Sequence, residues 1–427
     1  MGIFRQKTKE EDVDLDSPEP VPPDGGTTAW LQVLCGHLIV FNAWGYINSF
    51  GIFQPYYVSL LNRPPSDISW IGSLQICLVY GVGTFSGRAM DAGYLRPTLV
   101  VGFTLQLLGI FMTSLSSSYW QFILAQGICQ GLGDGLLFCP IVAVVSTYFS
   151  KRRTLAISSA ACGGATGGMV FPAIARQLLP KVGFAWTVRV MGFVVMFNAV
   201  VVLTLVRQRL PPRKTGPLIE WGAFTELPYA LFASGTFLCL WATFYAYYYV
   251  RAFGRDVLHV SEKTSFNLLL IINGVGLPGR LIPALLSDRF FGPVNTIIPV
   301  TASAAVLLYG WIGVSSLAGL VVFTAIYGFF GGGVQSLFPS ALSSLTTDLS
   351  KAGTRIGMVF SIVSVATLTG PPLAGVLISR DHGGYLYAQL FGGTSMILGS
   401  LLLVGARVSQ TGFALKRRMS SPYADLS

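Results

Sequence analysis

Charge is scarce in this sequence. Asp, Glu, Lys and Arg make up 11% of its 427 residues, against about 25% in a soluble domain, which excludes a soluble globular protein. Histidine is scarcer still. His37, His259 and His382 lie far apart, and no H-E-x-x-H, Walker A or C-x-x-C run occurs. Enzyme chemistry of those kinds has no motif to stand on, and no cofactor or metal is expected. All six cysteines (Cys35, Cys77, Cys129, Cys139, Cys162 and Cys239) fall inside apolar runs, where they read as packing residues rather than disulfides or ligands. The acidic N-terminus lacks the basic and apolar regions of a secretory leader, so insertion is expected to rely on the first apolar run. A clustered basic face for nucleic acid is also missing.

What the sequence has is apolar length. Hydrophobic residues make up 52% of it, and mean hydropathy is +0.62. A membrane span needs about 20 apolar residues. Twelve runs qualify: 30–57, 68–89, 96–116, 119–148, 154–178, 184–206, 228–250, 264–286, 293–313, 317–340, 354–378 and 385–407. The fold class expected is an all-α membrane protein with twelve transmembrane helices in two six-helix halves, 30–206 and 228–407. Residues 1–29 read as a polar, disordered tail, 207–227 as a basic linker, and 408–427 as a second tail. If both tails share a side, that side carries 19 Lys and Arg and the other carries 7. The positive-inside rule then puts both termini in the cytoplasm.

The halves repeat each other. Ser150-Lys151 returns as Ser350-Lys351, Thr154 as Thr354 and Pro172 as Pro372, all 200 positions on. Gly131 and Gly133 return as Gly331 and Gly333, and Asp91 is echoed by Asp288. Such a parallel repeat is the layout of carriers whose halves rock about a central site.

Between the second and third spans stands Gly87-Arg88-Ala-Met-Asp91-Ala-Gly93, and between the eighth and ninth stands Asp288-Arg289-Phe-Phe-Gly292. These loops resemble the cytoplasmic signature of the major facilitator superfamily, and the resemblance extends over residues 24–407. Pro22-Pro23-Asp24-Gly25-Gly26 before Trp30, Tyr148-Phe149-Ser150-Lys151-Arg152-Arg153, Trp186-Thr187-Val188-Arg189 and Pro278-Gly279-Arg280 are similar to the monocarboxylate porter family, in its fungal branch. The resemblance implies a secondary carrier that works by alternating access on a small organic acid or fungal metabolite. It further implies protons as the driving ion, a lipid bilayer as the setting and a monomer. Two directions are open: efflux of a secondary metabolite, which we favour, and proton-coupled uptake of a monocarboxylate or vitamin-like nutrient. The plasma membrane is expected, with a vacuolar or other internal membrane as the alternative.

Departures from that family matter too. Its proton–lactate carriers have a lysine in the first span and an Asp/Arg pair in the eighth. No lysine occurs in the first span here, and Gly276 stands four residues before Arg280. Arg280 remains as a charge within a span, where insertion costs about 2.5–3.5 kcal/mol, so a substrate or gating role is expected. Asn48, Asn273, Tyr327 and Gln335 are polar side chains on spans and candidates for lining a cavity with it. Asp134 is the acid within a span and the candidate for proton coupling. Gly87, Arg88, Asp91, Gly93, Asp288, Arg289 and Gly292 form the expected cytoplasmic latch, in which acids meet helix ends.

Overall fold

The computed structural model describes residues 22–213, 217–346 and 348–412, and the described residues contain helices and no strand. Most of both expected tails, and Lys214 of the linker, lie outside the described residues. Among the described residues eleven helices are long and apolar enough to cross a membrane: α1 Gly26–Leu61, α2 Asp67–Asp91, α3 Leu95–Thr113, α4 Tyr119–Tyr148, α5 Arg153–Leu205, α6 Leu227–Asp256, α7 Glu262–Phe291, α8 Pro293–Gly313, α9 Leu317–Leu345, α10 Ala352–Arg380 and α11 Leu386–Gln410. In lipid every backbone polar group needs an internal partner, which is why apolar runs of this length fold as helices.

The first helix starts at Gly26, inside what reads from sequence as a tail. α5 is 53 residues long, and its backbone breaks at Gly183, where φ is 75° and ψ is 175°. Glycine takes such angles without a side-chain clash. The segments on either side of this break match the fifth and sixth runs expected from sequence.

Within the first group, α1 lies along α5, and α4 packs on α2 and α3. Within the second, α7 lies along α9, and α11 packs on α6 and α8. The groups meet where α2 packs on α10 and where α5 packs on α7. Large apolar side chains such as Phe197, Val306 and Leu401 point outward around the bundle, the surface a lipid environment covers.

Candidate functional site: a central cavity and its latches

A cavity of about 930 Å³ lies between the two groups. Its walls are aromatic. Trp44 of α1 stacks on Phe244 of α6, with centroids 5.5 Å apart and planes 8° from parallel, so the ring pair bridges the halves. Tyr80 and Phe138 pack edge-on beneath it, and Phe138 stacks on Phe360 of α10 at 5.3 Å.

Arg280 reaches this cavity from α7 and is 3% exposed. Its guanidinium donates to the Gly276 carbonyl at 3.1 Å and to Gln335 Oε1 at 3.2 Å. Nε has no partner, and no acid pairs with Arg280 among the described residues. Room for the group comes from Gly276 and Gly332, where an added methyl would stand 2.7 and 3.0 Å from its NH1. Gln335 Nε2 is also unpartnered. The Tyr247 hydroxyl stands beside both residues without a well-formed hydrogen bond to either. A fork with no built-in anion, next to a free amide and a free phenol, suits a carboxylate or enolate.

Asn48 and Asn273 also line the cavity. They face each other across Gly168, each donating back to its own helix, to Trp44 O at 2.7 Å and Leu269 O at 3.0 Å. Towards the far end stand Arg176, Arg251, Arg255 and Glu262. With Arg280 the lining carries four arginines and one glutamate, a net charge of +3. Arg251 pairs with Glu262 at 2.7 Å, and Arg176 lies over the Phe266 ring at 4.3 Å.

Two candidates fall elsewhere. Tyr327 is fully buried off the cavity, and its hydroxyl donates to Thr243 O at 2.9 Å, which ties α9 to α6. Asp134 lies inside the first half, off the cavity lining, held by Gln75 and Gln106.

At the opposite end two matching acids bridge the groups. Asp91 accepts Gly353 N at 3.0 Å, and accepts Thr354 N and Thr354 Oγ1 at 2.8 Å each. Asp288 accepts Thr154 N at 3.1 Å and Leu155 N at 2.8 Å. Each acid therefore sits on the N-terminus of a helix from the other half, where the dipole favours negative charge. Gly93 turns the chain after α2 with φ 89°, packs on Pro212 and has no space for a side chain. Gly292 turns it before α8 with φ 81°. Arg88 donates to Arg213 O at 3.3 Å, and Arg213 N donates to Asp91 O at 2.7 Å, so the linker is laced into this closure. Arg289 is the exception among the expected latch residues. It is exposed and lies over the Phe290 ring at 5.3 Å, because Asp288 is satisfied by backbone amides rather than by a base.

Three features escape the motif reading. A methyl on Gly87 would strike the Gly353 carbonyl, and one on Gly357 would strike the Gly83 carbonyl. The signal was present as Gly83-x-x-x-Gly87 and Gly353-x-x-x-Gly357, the small-residue spacing of close helix pairs. Asp24 accepts Lys151 N at 2.7 Å and so fastens the N-terminal motif to the start of α5. Glu220 does the equivalent for α10, pairing with Lys351 at 3.1 Å and Arg355 at 3.3 Å. Burial pushes the Glu220 carboxyl up, but Lys351 and Arg355 outweigh it and hold the group below its ordinary value.

Membrane-length helices in two groups around a central cavity are the layout of a membrane transporter. The chain belongs to the major facilitator superfamily, whose family model matches residues 33–347. It is 50% identical to an MFS-type transporter of Gibberella zeae, over 93% of this chain and 90% of that one. It is 34% identical to the aspyridones efflux protein of Emericella nidulans, over 96% of this chain and 84% of that one. Its fold resembles the crystal structure of a human organic anion transporter, with a TM-score of 0.69 at 16% identity, covering 89% of this chain and 98% of that one.

Proposed function

We propose that this protein exports an anionic, flat-bodied secondary metabolite by alternating access. The carrying observation is Arg280, a buried guanidinium without an acid at the aromatic end of a cavity whose lining is net positive. Such a lining attracts organic anions and repels cations, while stacked rings accept a conjugated body. Efflux as the direction is supported by the relative named for aspyridones efflux.

The break at Gly183 supports counting α5 as two crossings, which makes twelve. Both termini then share a side, and the 19:7 basic bias assigns it to the cytoplasm. On that reading the latches are shut on the cytoplasmic side and the cavity faces out, the state from which an exporter releases its cargo. The protein works as a monomer in the plasma membrane. Protons supply the energy, with Asp134 as their carrier.

The test is an untargeted comparison of metabolites in cells and medium, deletion strain against parent. An anionic compound retained in the cells and missing from the medium supports export. A nutrient left unused in the medium would overturn it in favour of uptake.

A further inference from the structure

Asp134 is fully buried, and its hydrogen-bond partners are amides rather than bases. From α2, Gln75 Nε2 donates to its Oδ2 at 3.2 Å. From α3, Gln106 Nε2 donates to its Oδ1 at 2.5 Å. From α1, the buried Tyr46 hydroxyl lies near Thr113, within electrostatic reach of the same carboxyl, and makes no well-formed hydrogen bond. No Lys, Arg, His or second acid bonds to Asp134 among the described residues. A lone ionised carboxylate without a counter-cation is costly at such a site, whereas a protonated one is not.

The bonds around it also have a direction. Tyr57 donates to Gln126 Oε1 at 2.8 Å, Gln126 donates to Gln75 Oε1 at 3.4 Å, and Gln75 donates to Asp134. Every donor points toward the carboxylate, and the chain begins at the buried Tyr57 on the last turns of α1, where the next two residues, Val58 and Ser59, line the cavity. An amide can turn over and present its oxygen instead. Gln106 Oε1 is unpartnered, as are both polar atoms of the neighbouring Gln130, and all are buried. Buried orphan groups of this kind mark a place for water or for a group that changes state. When Asp134 binds a proton its O–H needs an acceptor, and a turned Gln106 supplies one.

A route leads from this site to the latch. Gly127, Gly131 and Gly135 of α4 bring α2 into close contact at Leu74, Gln75 and Leu78. Ser86 of α2 donates to Gly135 O at 3.0 Å, one residue from Asp134. The next residue, Gly87, is the one packed on Gly353. The segment Ile123–Gln130, just before Asp134, is π-helical, a local widening of the helix that is frequent at functional sites.

We propose that Asp134 and its amide chain form a proton-binding site inside the first half, separate from the substrate cavity, and that α2 transmits its occupancy to the latch. This rests on the reading of the protein as a proton-driven carrier and gives that coupling a place. A proton enters from water at the mouth end, adds to an Asp134 oxygen and leaves by the same bonds reversed. Protonation releases the pull on Gln75 and lets α2 shift along the glycine seam, which loosens Gly87 from Gly353.

The test uses the purified full chain in lipid nanodiscs and needs no substrate. Infrared difference spectra between neutral and acid pH are expected to show the carbonyl band of a buried carboxylic acid in the wild type, absent in Asp134→Asn. In parallel, hydrogen exchange of residues 352–355, corrected for its intrinsic pH dependence, should change about tenfold over the same titration. That change should shrink in Asp134→Asn, which matches the protonated acid in shape; the part that remains belongs to Asp91, which holds the amides of Gly353 and Thr354 directly. An unaltered band, or exchange whose pH dependence is undiminished in the variant, overturns the proposal. Should Asp134→Asn not fold, Gln106→Leu serves instead, with the acid retained and its band expected to shift; an unmoved band counts against the proposal. Neither readout depends on efflux, so failure here and failure of the export reading are separately visible.

Discussion

One carboxylate oxygen of Asp91 holds both the backbone N–H and the hydroxyl of Thr354, each at 2.8 Å, across the boundary between the halves. Asp288 holds the backbone N–H groups of Thr154 and Leu155, one on each oxygen, across the same boundary. Thr154 and Thr354 are themselves one of the pairs that repeat at an offset of 200. The internal repeat is thus the repeat of a device: an acid at one helix end, and in the other half the helix N-terminus it caps. Both devices are engaged together at this end of the bundle.

Asp91 makes three bonds and is 5% exposed, while Asp288 makes two and is half-buried. A hydrogen bond to a charged group contributes about 1.5–3 kcal/mol. Asp91→Ala is therefore expected to raise hydrogen exchange at Gly353 and Thr354 by more than tenfold. Asp288→Ala should do the same at Thr154 and Leu155, by less. Equal effects of the two variants would count against the ranking.

Arg280→Ala is expected to abolish export while the protein still reaches the membrane, because both the cavity's deep charge and its fork are lost. Arg280→Lys keeps the charge but not the planar fork, so it should recover only a small part of the flux. Gln335→Ala leaves the guanidinium in place and is expected to weaken apparent affinity several-fold more than maximal rate. Metabolite flux into the medium, with surface protein measured alongside, checks all three.

Much of this was legible in the sequence, for physical reasons. Apolar length marks a span whatever its neighbours are, so the membrane-length helices among the described residues could be read, and two of the expected runs fall within one long helix that breaks at Gly183. Asp91 and Asp288 were visible because charge at a span end stands out from an apolar background. Arg280 was visible for the same reason. Tyr327 was misplaced because a polar side chain on a span looks the same whether it faces a cavity or a neighbouring helix carbonyl. Trp44 and Phe244 were hidden because an aromatic ring among 29 phenylalanines and 17 tyrosines carries no address. Arg289 drew attention by motif, yet the backbone amides of Thr154 and Leu155 already satisfy the acid beside it.

Glu220 gives a pH signature outside the membrane. Its carboxyl is held below the ordinary value by Lys351 and Arg355, against the opposing effect of burial. A depressed carboxyl stabilises the fold above its unfolded value, about pH 4.3 for Glu, and that contribution fades as pH falls through the folded value. Wild type should therefore melt above Glu220→Gln near neutral pH, and the gap should close in acid. A gap that persists in acid would show that Glu220 acts through packing rather than charge.

The contact between Gly87 and Gly353 leaves no room for a methyl group on either side. Any side chain at Gly87 must push α2 away from α10, since the atom it meets is backbone and cannot swing aside. Cys139 is fully buried against this contact, with Sγ 3.8 Å from Gly353 O. Gly87→Leu is therefore expected to expose Cys139 and speed its labelling by a water-soluble thiol reagent at least tenfold. The same variant should slow export, because the closed state of this end can no longer form. Gly292 has open space around it, but its φ of 81° and ψ of 159° lie in a region nearly confined to glycine, so Gly292→Ala should cost about 1–3 kcal/mol of stability and leave Cys139 labelling unchanged. Should Gly87→Leu leave that labelling slow, the α2–α10 contact does not seal this end, and the two acids alone must hold it.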